Sequence, residues 1–357
     1  MMYITQLRDR TKHLINLARA QNNQKHFHKI HRQAAFSEIR NIEKLNGQKL
    51  TPLMRKRADE YAVEVFGDKN YAPWLYFYSA FRGKFKEGWI PANFYSRYVI
   101  PDKGLLGLAI TKTFSKIVLR TEALPDIAYH INGLLFDKNF SPINLSELRQ
   151  IIGKGSDVFI KINQSVRGKG VSKVNVEAIN EKTFKNIGNC VIQYAVKQHP
   201  FFDEIVTGSL SSIRVVTVRN IQGKIEFRGS YLKLSRQGKE WLQSEDGIFV
   251  PVVNNDGMLD SCCYTLNFQR LTKHPDSNFS FSNTYLPKFQ EAVNICVKLH
   301  SSIPHFPIVG WDIAVDHNEM IKVIEWNAGI PHPGIKTLEG TIGPCFTGLN
   351  WEQLKQD

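Results

Sequence analysis

Residues 308–334 read IVGWDIAVDHNEMIKVIEWNAGIPHPG. Asp312 precedes Ile313, Ala314 and Val315, and Glu325 follows Val323 and Ile324, so each acid interrupts a strand-like apolar run. The polar tetrapeptide Asp316-His317-Asn318-Glu319 predicts the connecting turn. Pairing Val315 with Met320 sets Asp312 opposite Val323, with Glu325 as its diagonal neighbour on the same face and Asn327 continuing that face. A slip of one residue would carry Glu325 away from Asp312, so register matters. A hard cation such as Mg²⁺ takes oxygen ligands from one or two carboxylates and completes its shell with phosphate and water. Asp312, Glu325 and Asn327 are therefore candidate metal ligands. The competing reading is an ordinary hairpin whose charges face solvent.

Working outward, the chain of 357 residues is long enough for two or three domains with a sizeable core. No apolar run reaches bilayer length, and the amino-terminal residues lack the apolar core of a signal peptide. The five cysteines include no CxxC spacing, which argues against both a disulfide framework and a zinc site and favours the cytoplasm. The formal charge of +13 is uneven: residues 1–60 carry 13 Lys/Arg against 5 Asp/Glu, an excess of +8. Such a segment attracts an anionic membrane surface or an acidic polymer, or else keeps a helical face solvated. No nucleic-acid-binding module accompanies it, so sequence-specific nucleic-acid recognition is not expected.

Residues 1–66 carry a helical stripe through Leu7, Leu14, Leu17 and Ala18, and Gly67 reads as a stop. Residues 71–98 are crowded with Tyr, Phe and Trp, a composition of buried packing more often than of a ligand platform. A short α/β piece follows, with KIVLR (116–120) expected as a strand and Ser146 as the cap of a helix ending at Ile152. From residue 157 strands dominate, with a hairpin turning at Gln222-Gly223 and a helix over 287–300 whose first residue is Pro287.

Lys161 lies inside the apolar strand DVFIKIN, where a lysine is costly unless an anion pairs with it. Gly168, Lys169 and Gly170 follow as a turn whose backbone can approach phosphate oxygens. The Walker A pattern is absent. VIQYAV supplies Gln193, Tyr194, Ala195 and Val196 as a candidate adenine-lining strand. Arg214, in SSIRVVTV, offers a planar fork to phosphate, whereas Arg228 fits a strand-face ion pair better.

In this order, the lysine strand, glycine loop, hinge strand, arginine strand and acidic hairpin resemble the ATP-grasp superfamily. The nearer resemblance is to its sugar-transfer-associated branch, through NYAPWLYFYSAFRGKFKEGWIP (70–91), QHP (198–200), SSIRVVTV (211–218), KHPDSNFSF (273–281) and GWDIAV with IEWN. It covers roughly residues 60–335. The resemblance implies an α+β fold in which two lobes clasp ATP, preceded by a basic helical region. The expected divisions are 1–66 for that region, 67–156 for an aromatic-rich α/β region and 157–357 for the catalytic domain, with 157–200 as its small lobe. It further implies that Lys161, the glycine turn, residues 193–196 and Arg214 contact ATP, and that Lys161 and Arg214 are catalytic. Asp312, Glu325 and Asn327 would hold two Mg²⁺ ions. The implied reaction is ADP-forming carboxylate–amine ligation through an acylphosphate. Its expected substrates are a uronic acid of a polysaccharide precursor and an amine, handled in the cytoplasm or at the inner membrane face. Two alternatives remain: a phosphotransferase acting on a sugar or an enzyme histidine, and a non-catalytic basic adaptor. Residues 239–252, KEWLQSEDGIFVPV, depart from the branch by lacking a Gly pair, which bears on the acceptor side. His199, His305 and His332 are further acid–base candidates, each more simply read as structural.

Overall fold

The structure is a computed structural model that describes residues 2–99, 103–165, 170–185 and 187–328. They form two compact units, the first ending at Tyr98 and the second beginning at Val99. The expected boundary at 66/67 falls inside the first unit and the one at 156/157 inside the second.

The first unit is helical. Its helices span Met2–Asn46, Pro52–Phe66 and Ala72–Arg82. Thr51 caps the second, its hydroxyl accepting from Met54 N at 3.2 Å, and Gly67 closes it in the left-handed region at φ 71°. In Ala72–Arg82 every residue except Arg82 is buried, as expected of a helix apolar on all sides. Trp74 packs edge-on to Phe77 and donates its indole N–H to His31 Nδ1 at 3.0 Å, so the aromatic segment is core. No helix among the described residues is long and apolar enough to cross a membrane.

The second unit holds two antiparallel sheets. The smaller contains β1 (Asp126–Ile131), β2 (Leu134–Asp137), β3 (Pro142–Ile143), β4 (Asp157–Ile162), β5 (Val171–Asn175) and β6 (Cys190–Tyr194), in the order β3-β2-β1-β6-β4-β5. Because β1 pairs with β6, the lobe carrying Lys161 begins at Asp126 rather than at residue 157. The helix Leu145–Ile152 covers one face, its Leu148 packed with Ala128, Val158, Ile160 and Ile192. Its cap is Asn144, not Ser146: Asn144 Oδ1 accepts from Glu147 N at 3.0 Å while Glu147 Oε2 accepts from Asn144 N at 2.7 Å.

The larger sheet contains β7 (Ser212–Arg219), β8 (Ile225–Leu234), β9 (Ile248–Pro251), β10 (Cys263–Thr265), β11 (Arg270–Leu271), β12 (Ile308–Val315) and β13 (Ile321–Asn327), ordered β11-β10-β9-β8-β7-β12-β13. The helix Phe289–Ser301 lies on one face and buries Phe289, Val293, Cys296 and Leu299 with Trp311, Ile313, Val315 and Trp326. It starts two residues later than expected, because Lys288 caps it at φ 54°. The segment 115–119 is a short helix, Ser115–Leu119, so KIVLR is not a strand. With one face of each sheet covered by a helix, a polar residue on the opposite face is left for a site between the sheets.

Candidate active site

The hairpin β12–β13 has a different register from the one expected, for a physical reason. Val315 pairs with Ile321, not Met320, because the turn closes through Asp316 N to Met320 O at 2.9 Å. Continued without interruption, that register would set Asp312 opposite Ile324 and turn Glu325 to the other face. A β-bulge at Ile324 adds one residue, so Asp312 pairs directly with Glu325, and Gly310 with Asn327. The acids are thus cross-strand partners rather than diagonal neighbours, and Asn327 continues their face.

Arg214 extends this row, since it is the register partner of Asp312 across β7–β12. Its Nε donates to Asp312 Oδ1 at 2.7 Å and its NH2 to Oδ2 at 3.1 Å. Lys233 of β8 donates to the same Oδ2 at 2.9 Å. Burial alone would raise the Asp312 pKa, but the charges of Arg214 and Lys233 and their hydrogen bonds hold it well below the usual carboxylate range. Tyr231, the partner of Arg214 on β8, puts its ring 5.9 Å from the guanidinium carbon. Gly310 makes room for this arrangement: a Cβ there would stand 3.1 Å from Arg214 NH1 and 3.3 Å from its Cδ.

Lys161 reaches this site from the smaller sheet. Its Nζ donates to Ile324 O at 3.4 Å, using the carbonyl of the bulged residue. Burial lowers its pKa and Lys112 adds to that, while Glu325, Asp126 and Asp312 oppose it. Lys112 Nζ donates to Ser165 O at 2.7 Å and stands 3.8 Å from Glu325 Oε1. Lys112, Asp126, Lys161, Gln193 and Glu325 together line a cleft between the sheets, with Trp326 also contributing. Gln193 and Asp126 are buried there, with Gln193 Nε2 donating to Asp126 Oδ1 at 2.7 Å.

The remaining candidates divide. Tyr194 and Ala195 are exposed and Val196 is half-buried at the end of β6. Gly170 closes the turn after β4, its carbonyl accepting from Ile162 N at 2.9 Å, and a Cβ there would overlap the Ser165 side chain. Gly168, Lys169 and His332 lie outside the described residues. Arg228 NH2 donates to Glu226 Oε2 at 2.6 Å, an ion pair along its own strand. His199 caps the short helix Pro200–Asp203, its Nδ1 accepting from Phe201 N at 3.1 Å, and His305 is exposed.

Reasoning from sequence missed Lys112, Asp126, Lys233 and Gly310. Lys233 carried a usable signal: it lies two residues from Tyr231, so it shares the face of Arg214 once β8 is paired with β7. Lys112 carried none, because it opens a single 3₁₀ turn, Lys112–Phe114, that is too short to show a period.

Among the described residues no three His, Cys, Asp or Glu side chains gather closely enough to hold a metal ion unaided. Both Asp312 oxygens are engaged by cations. Glu325, whose side chain is 37 % exposed, and Asn327 on the same face could hold one hard cation completed by phosphate oxygens and water. Asp312 would join only on releasing Lys233 or Arg214.

Several solved structures resemble the chain, each over about half of its own length. N5-carboxyaminoimidazole synthetase from Staphylococcus aureus complexed with ADP has a TM-score of 0.41 at 15% identity, covering 68% of this chain and 52% of that one. Biotin carboxylase from Campylobacter jejuni in its β,γ-ATP complex gives 0.41 at 14% identity, covering 68% and 45%. N5-carboxyaminoimidazole ribonucleotide synthetase from Thermotoga maritima gives 0.39 at 15%, covering 70% and 52%. No curated protein matches the chain in sequence. The decisive match is to a family: residues 107–340, from just before Lys112 to beyond Asn327, fit the description "Sugar-transfer associated ATP-grasp", and the chain belongs to that family.

Proposed function

We propose that the protein is an ADP-forming carboxylate–amine ligase that modifies an acidic precursor of a cell-surface polysaccharide. One observation carries the reading: Lys112 and Lys161 share a cleft with Glu325, on a sheet face that also presents Arg214 and Lys233. Four cations against three acids, Asp126, Asp312 and Glu325, leave a positive balance that suits a polyphosphate, and phosphoryl transfer needs positioning and charge neutralisation more than covalent help.

In the proposed reaction a substrate carboxylate oxygen attacks the γ-phosphorus of ATP. The bond from that phosphorus to the β,γ-bridging oxygen breaks, and ADP leaves. The amine nitrogen then attacks the acyl carbon, the carbon–oxygen bond to phosphate breaks, and phosphate leaves as the nitrogen gives up its proton. Lys161 and Lys112 bind phosphate oxygens, and Arg214 stabilises the phosphoryl group in transit. Residues 193–196 line the base. Glu325 and Asn327 hold Mg²⁺, which when bound neutralises charge on the phosphate oxygens. The uronic acid is the proposed carboxylate because the family is associated with sugar transfer. The exposed Lys25, Lys29 and Arg32 on the helix Met2–Asn46 suit an acidic glycan or an anionic inner membrane face.

The test is purified protein with Mg-ATP, a panel of uronates, and hydroxylamine as the amine. A hydroxamate formed in step with ADP and phosphate supports the ligase. AMP and pyrophosphate as products would refute it, as would a phosphosugar formed without hydroxamate.

A further inference from the structure

The inner wall of the cleft pairs Gln193, one of the residues proposed to line the base, with Asp126, a side chain that the proposed chemistry does not use. Asp126 and Gln193 are register partners across β1–β6 and are only 8% and 5% exposed. Gln193 Nε2 donates to Asp126 Oδ1 at 2.7 Å, and Tyr129 OH donates to Asp126 Oδ2 at 2.8 Å. Both Asp126 and Gln193 line the cleft beside Lys161.

An ionised carboxylate only accepts hydrogen bonds, whereas an amide offers an acceptor at one end and donors at the other. Asp126 therefore fixes which way the Gln193 amide points: nitrogen toward Asp126, oxygen away from it. Among the described residues no group donates to Gln193 Oε1. Burial raises the Asp126 pKa, and the bonds from Gln193 and Tyr129 with the charges of Lys161 and Lys116 oppose that rise.

The geometry points to Asp126 as a positioning residue for base selection. By locking Gln193 with its carbonyl oxygen free, it makes this end of the cleft a hydrogen-bond acceptor that takes a purine 6-amino group and rejects a 6-oxo group. The inference rests on the proposal that a nucleoside triphosphate occupies this cleft. A 6-oxo purine would set two acceptors against each other, and leaving a buried acceptor unmet corresponds to roughly 10- to 100-fold in affinity.

The experiment is calorimetric titration of the full chain with Mg-ATP and Mg-ITP, which differ in the atom at position 6. The wild type should prefer ATP by about 10- to 100-fold. In Asp126→Asn the new amide can donate to Gln193 Oε1 and let Gln193 turn its NH₂ to the cleft. The ratio should then fall toward one, with ITP binding more tightly than it binds the wild type. A merely structural role would weaken both ligands together and would overturn the inference, as would an unchanged ratio. If Asp126→Asn does not fold, Gln193→Met is read instead: its ATP:ITP ratio should approach one, and a wild-type ratio refutes the inference. ATP binding with no base preference in the wild type sinks this inference alone. Binding of neither triphosphate sinks the nucleotide reading of the cleft as well.

Discussion

His300 makes the stability of the larger sheet depend on pH in a way that can be worked out beforehand. It is fully buried on the helix Phe289–Ser301. Its Nε2 lies 2.8 Å from Phe306 O, which can only accept, so Nε2 carries a proton. Nδ1 lies 2.7 Å from Thr217 Oγ1, and that hydroxyl accepts from Trp311 Nε1 at 2.9 Å. With a neutral ring every group is satisfied: indole donates to hydroxyl, hydroxyl to Nδ1, and Nε2–H to the carbonyl. Protonating Nδ1 would aim a second donor at the hydroxyl and strand the hydroxyl's own proton. Burial accordingly lowers the His300 pKa from 6.5 to about 4.

The sign follows from proton binding. Between pH 4 and 6.5 the unfolded chain holds a proton that the folded chain refuses, so stability rises with pH there and falls as acid is added. A shift from 6.5 to about 4 corresponds to about 3 kcal/mol over the window. The steepest slope is about 1.4 kcal/mol per pH unit, or one proton. His28, His31 and His274 also have lowered pKa values from burial, so the wild-type slope alone does not isolate His300. The comparison is therefore wild type against His300→Gln, by urea unfolding at pH 7.5, 6, 5 and 4.5. The variant should be less stable at pH 7.5, yet lose stability more slowly on acidification, by close to one proton's worth of slope. Parallel curves for the two proteins would refute the neutral network.

Four other outcomes follow from the site. Asp312→Asn leaves Arg214 and Lys233 facing a neutral amide in a buried place, and should cost about 3 kcal/mol in urea unfolding; a loss below about 1 kcal/mol would mean that the pairs are effectively solvated. Gly310→Ala forces Arg214 to give by a few tenths of an ångström. It should cut turnover more than nucleotide affinity, and equal losses in kcat and KM would contradict that. Lys161→Met removes a buried ammonium whose pKa burial lowers, so apo stability should hold or rise while ATP binding is lost, as melting and calorimetry would report. Glu325→Gln should raise the Mg²⁺ concentration needed for half-maximal turnover by at least about tenfold, and an unchanged Mg²⁺ requirement would remove Glu325 from the metal assignment.

The fold was legible where one short segment carried its own pattern. Apolar runs interrupted by single charges marked β7, β12 and β13, the Gln222-Gly223 turn marked the β7–β8 hairpin, and aromatic density marked the buried segment Ala72–Arg82. It was illegible where long-range pairing decided. KIVLR has strand composition, yet at 115–119 the chain is helical and sets Ser115 Oγ to accept from Trp326 Nε1 at 3.1 Å, a partner 211 residues away. Nothing local marks Asn144 over Ser146 as the cap either, except the Glu three residues on, which completes the capping box. The site followed the same division. Lys161, Arg214, Asp312 and Glu325 stood out as charges inside apolar strands, whereas Lys112 and Asp126 gain meaning only when β1, β4 and β6 are assembled around the cleft.

The bulge at Ile324 shows why composition found the acids and pairing could not be deduced from it. Alternation along β13 alone predicts a face for Glu325, and the turn at Asp316–Met320 shifts that prediction to the wrong face. The added residue reverses the shift, and it also turns the Ile324 carbonyl toward Lys161. One local irregularity therefore does two things: it aligns Glu325 with Asp312 and Arg214 in a single row, and it gives the ammonium of the opposite sheet a partner. Deleting Ile324 restores regular alternation and should separate the two. The pairs Val315–Ile321 and Ile313–Val323 would survive and Glu325, now next to Val323, would still fall opposite Asp312, while Lys161 would lose the Ile324 carbonyl. A deletion variant that folds, with Trp326 still opposite Trp311, should therefore keep the wild-type Mg²⁺ requirement and lose only part of its ATP affinity. Complete loss of ATP binding by a folded variant would refute that separation.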